Sequence, residues 1–306
     1  HEKFIKNMLA GAGGVDIALL VVSADEGVMA QTKEHLAILD LLNIKRGIIA
    51  LTKIDKVEED WLELVKEDTK DKLKGTFLEG EEIVEVSSIE NIGINKLKKK
   101  IMNIALSIED KNPDDNVYYP IDRVFSLSGH GTVITGTLVS GKISIEDKLT
   151  IYPQKKEVRI RSLQVHNKSA EIVHPGQRVG INLAGVEKNE INRGDVLATT
   201  NSLEKTDFID GRISILENSP MILEHGDRIR FHIGAREVLG RVYMIEKEKI
   251  LPGDNAIVQF RLEEEIVARY KENFVLRRYS PMTTIGGGVV IDNNPPYRKK
   301  LSEKDL

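Results

Sequence analysis

Residues 48–55 read IIALTKID, four apolar residues without a polar break and then Thr52, Lys53 and Asp55. A continuous apolar run marks a strand buried on both faces, as in a parallel sheet covered by helices. A polar motif placed directly after such a strand falls at its carboxyl end, where open parallel sheets bind their ligands. The same arrangement recurs on either side. Upstream, IALLVV at 17–22 is another unbroken run; downstream, the apolar stretch at 83–86 runs into Ser87, Ser88 and Ile89. Between these strands the period changes to helical: residues 32–43 carry Leu36, Leu39 and Leu42 on one face, residues 59–74 form a charged helix, and a last helix lies near 94–106. Residues 3–10 put Phe4, Met8 and Leu9 on one helical face, ended by Gly11, Gly13 and Gly14. This alternation predicts a parallel α/β sheet within residues 1–112.

The polar stretch SIEDKNPDDN at 107–116, punctuated by Pro113, reads as a linker. Beyond it come short alternating strands broken by Gly, Pro, Asn and Asp, the pattern of closed antiparallel barrels. HPGQRVGINL at 174–183 and LPGDNAIVQF at 251–260 each set a Pro-Gly turn before an alternating strand, and a break at 201–207 separates the two copies. Two barrels follow, 116–202 and 206–296, with residues 297–306 (YRKKLSEKDL) reading as the basic, helical start of a C-terminal extension. The glycines of SGHGTVITG sit among alternating strand residues with no helix after them, so they mark a hairpin and not a dinucleotide loop; Gly286 to Gly288 mark a bulge or a close strand approach.

Composition narrows the function. The 306 residues carry 44 Lys+Arg against 48 Asp+Glu, a net charge of −4, which gives no general attraction to nucleic acid; RNA, if a partner, must meet local patches. No apolar run is long enough to span a membrane, and nothing at the start resembles a signal peptide, so a cytoplasmic protein is expected. The absence of cysteine removes disulfides, thiolate metal sites and cysteine nucleophiles, and the seven histidines lack metal-binding spacing. His130 reads as a turn residue, and His166, with Asn167 and Lys168, as a loop.

Lys-x-Asp at a strand end suits guanine. A carboxylate at Asp55 can accept from both the ring N1–H and the exocyclic amine, which adenine does not offer in that geometry. The Lys53 stem can lie against the ring, and amides of the Ser87 to Ile89 loop can approach the base carbonyl. A strand-end turn with a solvated lysine would look the same at the first motif alone; the second loop, in the right order and position, favours guanine.

The stretch from His1 to Asp55, with its QTKEH helix, resembles the translational GTPases of the elongation factor Tu superfamily. RVFSLSGHGTVITGTL at 123–138 and INRGDVLA at 191–198 are similar to that superfamily's second domain. YSPMTTIGGGVVID at 279–292, followed by NPP, resembles its selenocysteine-specific branch. The resemblance covers essentially the whole chain. It implies a GTPase-domain remnant followed by two antiparallel β-barrels, with GTP/GDP and Mg2+ as cofactors and selenocysteinyl-tRNA, the ribosome and an mRNA hairpin as partners. It also implies that Thr52, Lys53 and Asp55 read guanine, that His1 orients the attacking water, and that Asp122, Arg123 and Arg178 line the aminoacyl pocket. A cationic pocket favours an ionised selenol over a neutral hydroxyl. The superfamily usually has Asn where Thr52 stands. Its phosphate loop, D-x-P-G motif and first switch segment lie upstream of His1, so the chain is expected to be truncated at both ends, to lack GTP hydrolysis as it stands, to leave the mRNA hairpin to domains beyond it, and to expose an apolar sheet edge. The rival readings are a general aminoacyl-tRNA-carrying GTPase and a non-enzymatic RNA-binding double barrel.

Overall fold

The computed structural model describes residues 8, 9, 11, 14–109, 111–127 and 131–297. His1, most of the helix expected at 3–10, His130 and the tail from residue 298 lie outside the described residues.

Within Val15–Asp110 three strands, β1 (Ala18–Ser23), β2 (Gly47–Thr52) and β3 (Ile83–Val86), form a parallel sheet in that order. Helices α1 (Ala30–Leu41), α2 (Glu59–Lys72) and α3 (Ile94–Leu106) connect and cover them. The central strand explains its own sequence. Ile48 and Ala50 join Val84 and Val86 under Ile94, Leu97, Ile101 and Ile104 of α3, while Ile49 packs on the opposite face with Leu36, Leu73 and Leu78. Each fully buried Ile or Leu removes enough apolar surface to contribute about 1.5–3 kcal/mol. Edge strand β1 differs: Leu19 is 44% and Val21 58% exposed, in register with buried Ile48 and Ala50. These two side chains leave an apolar strip open at the sheet edge. Helix α1 begins two residues earlier than its period suggests and stops at Leu41, where Asn43 takes a left-handed φ of 61°.

The barrels share the rest of the described chain. In the first, strands β4 (Tyr118–Leu127), β5 (Gly131–Thr137), β6 (Ile143–Ser144), β7 (Lys148–Tyr152), β8 (Lys156–Val165), β9 (Lys168–Ala170), β10 (Ile172–Val173), β11 (Arg178–Ala184) and β12 (Val196–Ala198) appear in sequence. Six of them, in the order β11-β5-β4-β12-β7-β8, close into a ring because β11 also pairs with β8. The second contains β13 (Thr206–Ile215), β14 (Leu223–Glu224), β15 (Arg228–Ile233), β16 (Arg236–Met244), β17 (Lys249–Ile250), β18 (Asn255–Ile266), β19 (Asn273–Arg278) and β20 (Thr284–Asp292). Its ring runs β13-β18-β16-β15-β19-β20. Phe231, Phe260 and Phe274 meet at its centre with ring centroids 4.7–5.3 Å apart.

The repeated Pro-Gly sequences are repeated turns. Gly176 and Gly253 have φ of 87° and 84°, and the amides of Gln177 and Asp254 return to the carbonyls of His174 and Leu251 at 3.3 and 3.0 Å. Proline at the second place and a positive-φ glycine at the third define a type II turn. His166 and Asn167, at φ of 50° and 62°, form the two-residue turn of a hairpin between β8 and β9. The glycine triplet serves close approach: a Cβ on Gly288 would stand 2.0 Å from the Arg212 carbonyl.

The two barrels are fastened to each other. Tyr118, Tyr152, Val196 and Ala198 of the first pack with Val267 of the second. Tyr118 donates to both oxygens of Glu272 at 3.0 and 2.9 Å, and the Arg269 guanidinium lies 3.8 Å over the Tyr118 ring. Buried Asp195 accepts from Arg236 at 2.9 Å, from Gln154 at 2.6 Å and from the Asn192 amide at 2.7 Å; Arg236 also reaches Glu264 at 2.8 Å. Among the described residues no helix is long and apolar enough to cross a membrane.

Candidate functional site

Ser23, Thr52 and Val86 end β1, β2 and β3 side by side in register, so three loops leave one edge of the parallel sheet together. The middle loop is TKID. Thr52 donates its hydroxyl to the Val22 carbonyl at 3.1 Å, tying β2 to β1. Lys53 adopts a left-handed backbone, φ 57° and ψ 34°, an unfavourable conformation for a side chain with a Cβ. Its ammonium lies 3.4 Å from both carboxylate oxygens of Asp25, in the loop after β1. Ser23 also donates to Asp25. That hydroxyl, and then the lysine, hold the Asp25 carboxyl below its ordinary range. Asp55, in the single 3-10 turn Ile54–Lys56, is exposed and its carboxylate forms no ion pair among the described residues.

The third loop begins at Ser87, which is buried; its backbone exchanges both hydrogen bonds with Ile92, at 3.1 and 3.0 Å, and its hydroxyl accepts from the Glu90 amide at 3.2 Å. Ser88 and Ile89 are therefore held out at the tip, Ile89 80% exposed. Gly93 closes this loop with φ 71°, and a Cβ there would fall 1.8 Å from the Glu85 carbonyl. The six sequence-predicted residues thus stand on two adjacent loops of one edge. The arrangement brings an exposed carboxylate, a lysine side chain and an exposed loop tip to one edge of the sheet. Asp25 is the residue that reading the sequence missed. Its signal was positional only, an acid in a third strand-end loop.

The second group lies on the first barrel. Strand β4 shifts register between Ile121 and Arg123, leaving Asp122 as an extra residue. Ile121 and Val124 point into the barrel core, so Asp122 and Arg123 both face outward. Arg178, the first residue of β11, faces Asp122 across β5 and makes a two-pronged ion pair with it at 2.6 and 3.1 Å. Thr135 adds a hydroxyl to Asp122 at 2.8 Å. The carboxylate raises the Arg178 guanidinium above its ordinary value. Beneath, buried Tyr119 donates to the Val179 carbonyl at 2.6 Å, fixing β4 against the start of β11, and burial pushes its hydroxyl well up. Asp122 and Arg178 are thus in contact; Arg123 stands beside them, exposed and without an ion pair among the described residues. The cluster keeps one uncompensated positive charge. No group of three or more His, Asp or Glu among the described residues is arranged to hold a metal ion.

Comparison with known proteins agrees with this three-part architecture. Residues 1–107 match the family model of the elongation factor Tu GTP binding domain, residues 131–198 that of elongation factor Tu domain 2, and residues 210–297 that of the beta-barrel domain of the selenocysteine-specific elongation factor. The chain is 42% identical to the selenocysteine-specific elongation factor of Desulfomicrobium baculatum, aligned over 100% of this chain and 48% of that protein. To the factor of the same name from Methanocaldococcus jannaschii it is 34% identical, over 100% of this chain and 69% of that protein. Its fold superposes on translation elongation factor SelB of Methanococcus maripaludis, crystallised with the GTP analogue GPPNHP, with a TM-score of 0.81, 27% identity, 96% of this chain and 69% of that one. The chain spans about half the length of the bacterial relatives it matches. Identity at this level across the sheet and both barrels leaves one conclusion: the chain belongs to the family of selenocysteine-specific elongation factors.

Proposed function

We propose that this chain works in a GTP-dependent elongation factor that delivers selenocysteinyl-tRNA to the ribosome in the cytoplasm. The observation that carries the reading is the outward cluster on the first barrel. Arg178 is held by Asp122, Arg123 stands beside it, and one positive charge remains uncompensated. A selenol ionises near neutral pH, whereas the serine hydroxyl does not. A guanidinium fork already oriented by a carboxylate can share its remaining donors with a selenolate at little conformational cost. The same pocket gains nothing from seryl-tRNA.

The carboxyl edge of the sheet takes the guanine nucleotide. Asp55 accepts from the base, Lys53 backs its ring, and the Ser87 to Ile89 loop approaches the base carbonyl. Thr52 holds β2 to β1 through its hydroxyl, and makes no amide contact of the kind an asparagine would make. In the intact factor His1 would orient the attacking water and Mg2+ would assist GTP hydrolysis, and further domains would grip the mRNA hairpin.

The test uses the full-length factor loaded with GTP, with selenocysteinyl-tRNA competing against seryl-tRNA on the same tRNA body, in the parent and in Arg178→Ala. Charge-assisted hydrogen bonds contribute about 1.5–3 kcal/mol each, so a preference on the order of tenfold or more should collapse in the variant. Equal binding of the two by the parent protein would leave a general tRNA carrier.

A further inference from the structure

We infer that Asp25 is a positioning residue for the guanine site: it draws the Lys53 ammonium away from Asp55 and so keeps that carboxylate open to the base. The inference deepens the guanine reading and rests on it. Three observations on one sheet edge lead there. First, Lys53 occupies a left-handed backbone conformation, which turns its side chain back over the end of β1, where Asp25 receives it at 3.4 Å on both oxygens. Second, Asp25 stands on a braced loop. The Ala24 amide donates to the Thr52 carbonyl at 2.8 Å, the Gly27 amide returns to the Ser23 carbonyl at 2.8 Å, and the Trp61 indole N–H donates to the Ala24 carbonyl at 3.0 Å. Third, Asp55 lies two residues from Lys53 and has no cation of its own among the described residues.

Without Asp25, the Lys53 ammonium loses the carboxylate that holds it towards β1 and is free to turn to Asp55, two residues on, the carboxylate that must read guanine. An ammonium seated on Asp55 would compete with the N1–H and the exocyclic amine for the same lone pairs. With Asp25 present, the lysine's charge is satisfied on the far side. Its methylene stem is left lying across the sheet edge as an apolar backing for the purine. The TKID loop is tied towards β1 by the Thr52 hydroxyl on the Val22 carbonyl, by the Ala24 amide on the Thr52 carbonyl, and by this ion pair.

The experiment is calorimetric titration of GDP and ADP into the full-length factor and its Asp25→Asn, Asp25→Glu, Lys53→Ala, Asp25→Asn/Lys53→Ala and Asp55→Asn variants. Asp25→Asn should weaken GDP several-fold, on the scale of an exposed ion pair, and Asp25→Glu should restore most of the affinity. In the Lys53→Ala background, Asp25→Asn should have no further effect, because the cation it restrains is gone. An equal loss from Asp25→Asn in both backgrounds would reduce Asp25 to a structural brace and overturn the inference, with guanine recognition intact. If GDP binds no tighter than ADP, or Asp55→Asn leaves GDP binding unchanged, the guanine reading itself falls.

Discussion

Replacing Asp195 with alanine tests how the two barrels are joined. The Asp195 carboxylate is inaccessible to solvent and collects three donors: the Arg236 guanidinium, the Gln154 amide and the backbone amide of Asn192. Burial still pushes its carboxyl above the ordinary value, so desolvation outweighs the favourable contacts, as expected of a buried ion pair. The pair therefore adds little net stability, yet removing one partner strands the other. Arg236 is only 13% exposed and would keep, among the described residues, a single acceptor, Glu264, which is itself 61% exposed. Breaking a buried pair costs about 3–5 kcal/mol, and the surviving Glu264 contact places this case near the lower end, at about 3 kcal/mol. For a body of about 150–250 residues that corresponds to a fall of roughly 6–12 °C in the barrels' unfolding midpoint. The assay is thermal unfolding followed by circular dichroism in the far ultraviolet. Arg236→Met in the Asp195→Ala background removes the stranded charge and should recover about half the loss. A midpoint unchanged by Asp195→Ala, or a double variant as unstable as the two single losses combined, would refute this account.

Two further outcomes follow from the same structure. Gly93→Ala should destabilise the sheet portion by about 3 kcal/mol or more and weaken GDP binding. The left-handed φ and the Glu85 carbonyl both oppose a methyl group, and relief displaces the Ser87 loop; urea unfolding and titration measure the two effects. Burial between the barrels raises the Glu272 carboxyl above its ordinary 4.5, so the folded state holds that proton to higher pH than the unfolded chain does. Its contribution to stability is full below pH 4.5 and is lost as pH rises through the raised value. Glu272→Gln should flatten that slope in unfolding midpoints recorded across the acid range.

Much of this was legible in the sequence because the informative residues are local. Three apolar runs gave the parallel strands, and TKID and SSI marked their carboxyl ends without any knowledge of the third dimension. The two Pro-Gly turns announced equivalent strands in two barrels, since proline and a positive-φ glycine suit only a few turn types. What stayed hidden depends on pairs far apart in the chain. Arg178 and Asp122 are 56 residues apart, and Tyr118 and Glu272 are 154 apart, so no local period relates them. Strand alternation would also send Asp122 and Arg123 to opposite faces; only the extra residue in β4 puts them together. Asp25 looked like any solvated acid in a turn, and its meaning came from the left-handed turn of a lysine 28 residues away.

The joint between the barrels carries one more consequence. An apolar patch flanked by two separate polar clamps opposes sliding, twisting and hinging between the barrels at once. If the proposed cargo is held at Asp122 and Arg178, this joint is what links the grip on the first barrel to the placement of the second. On that reading, substitutions at Tyr118, Asp195, Arg236 or Glu272 would alter how the cargo is presented by changing the set of the joint, without touching the proposed pocket.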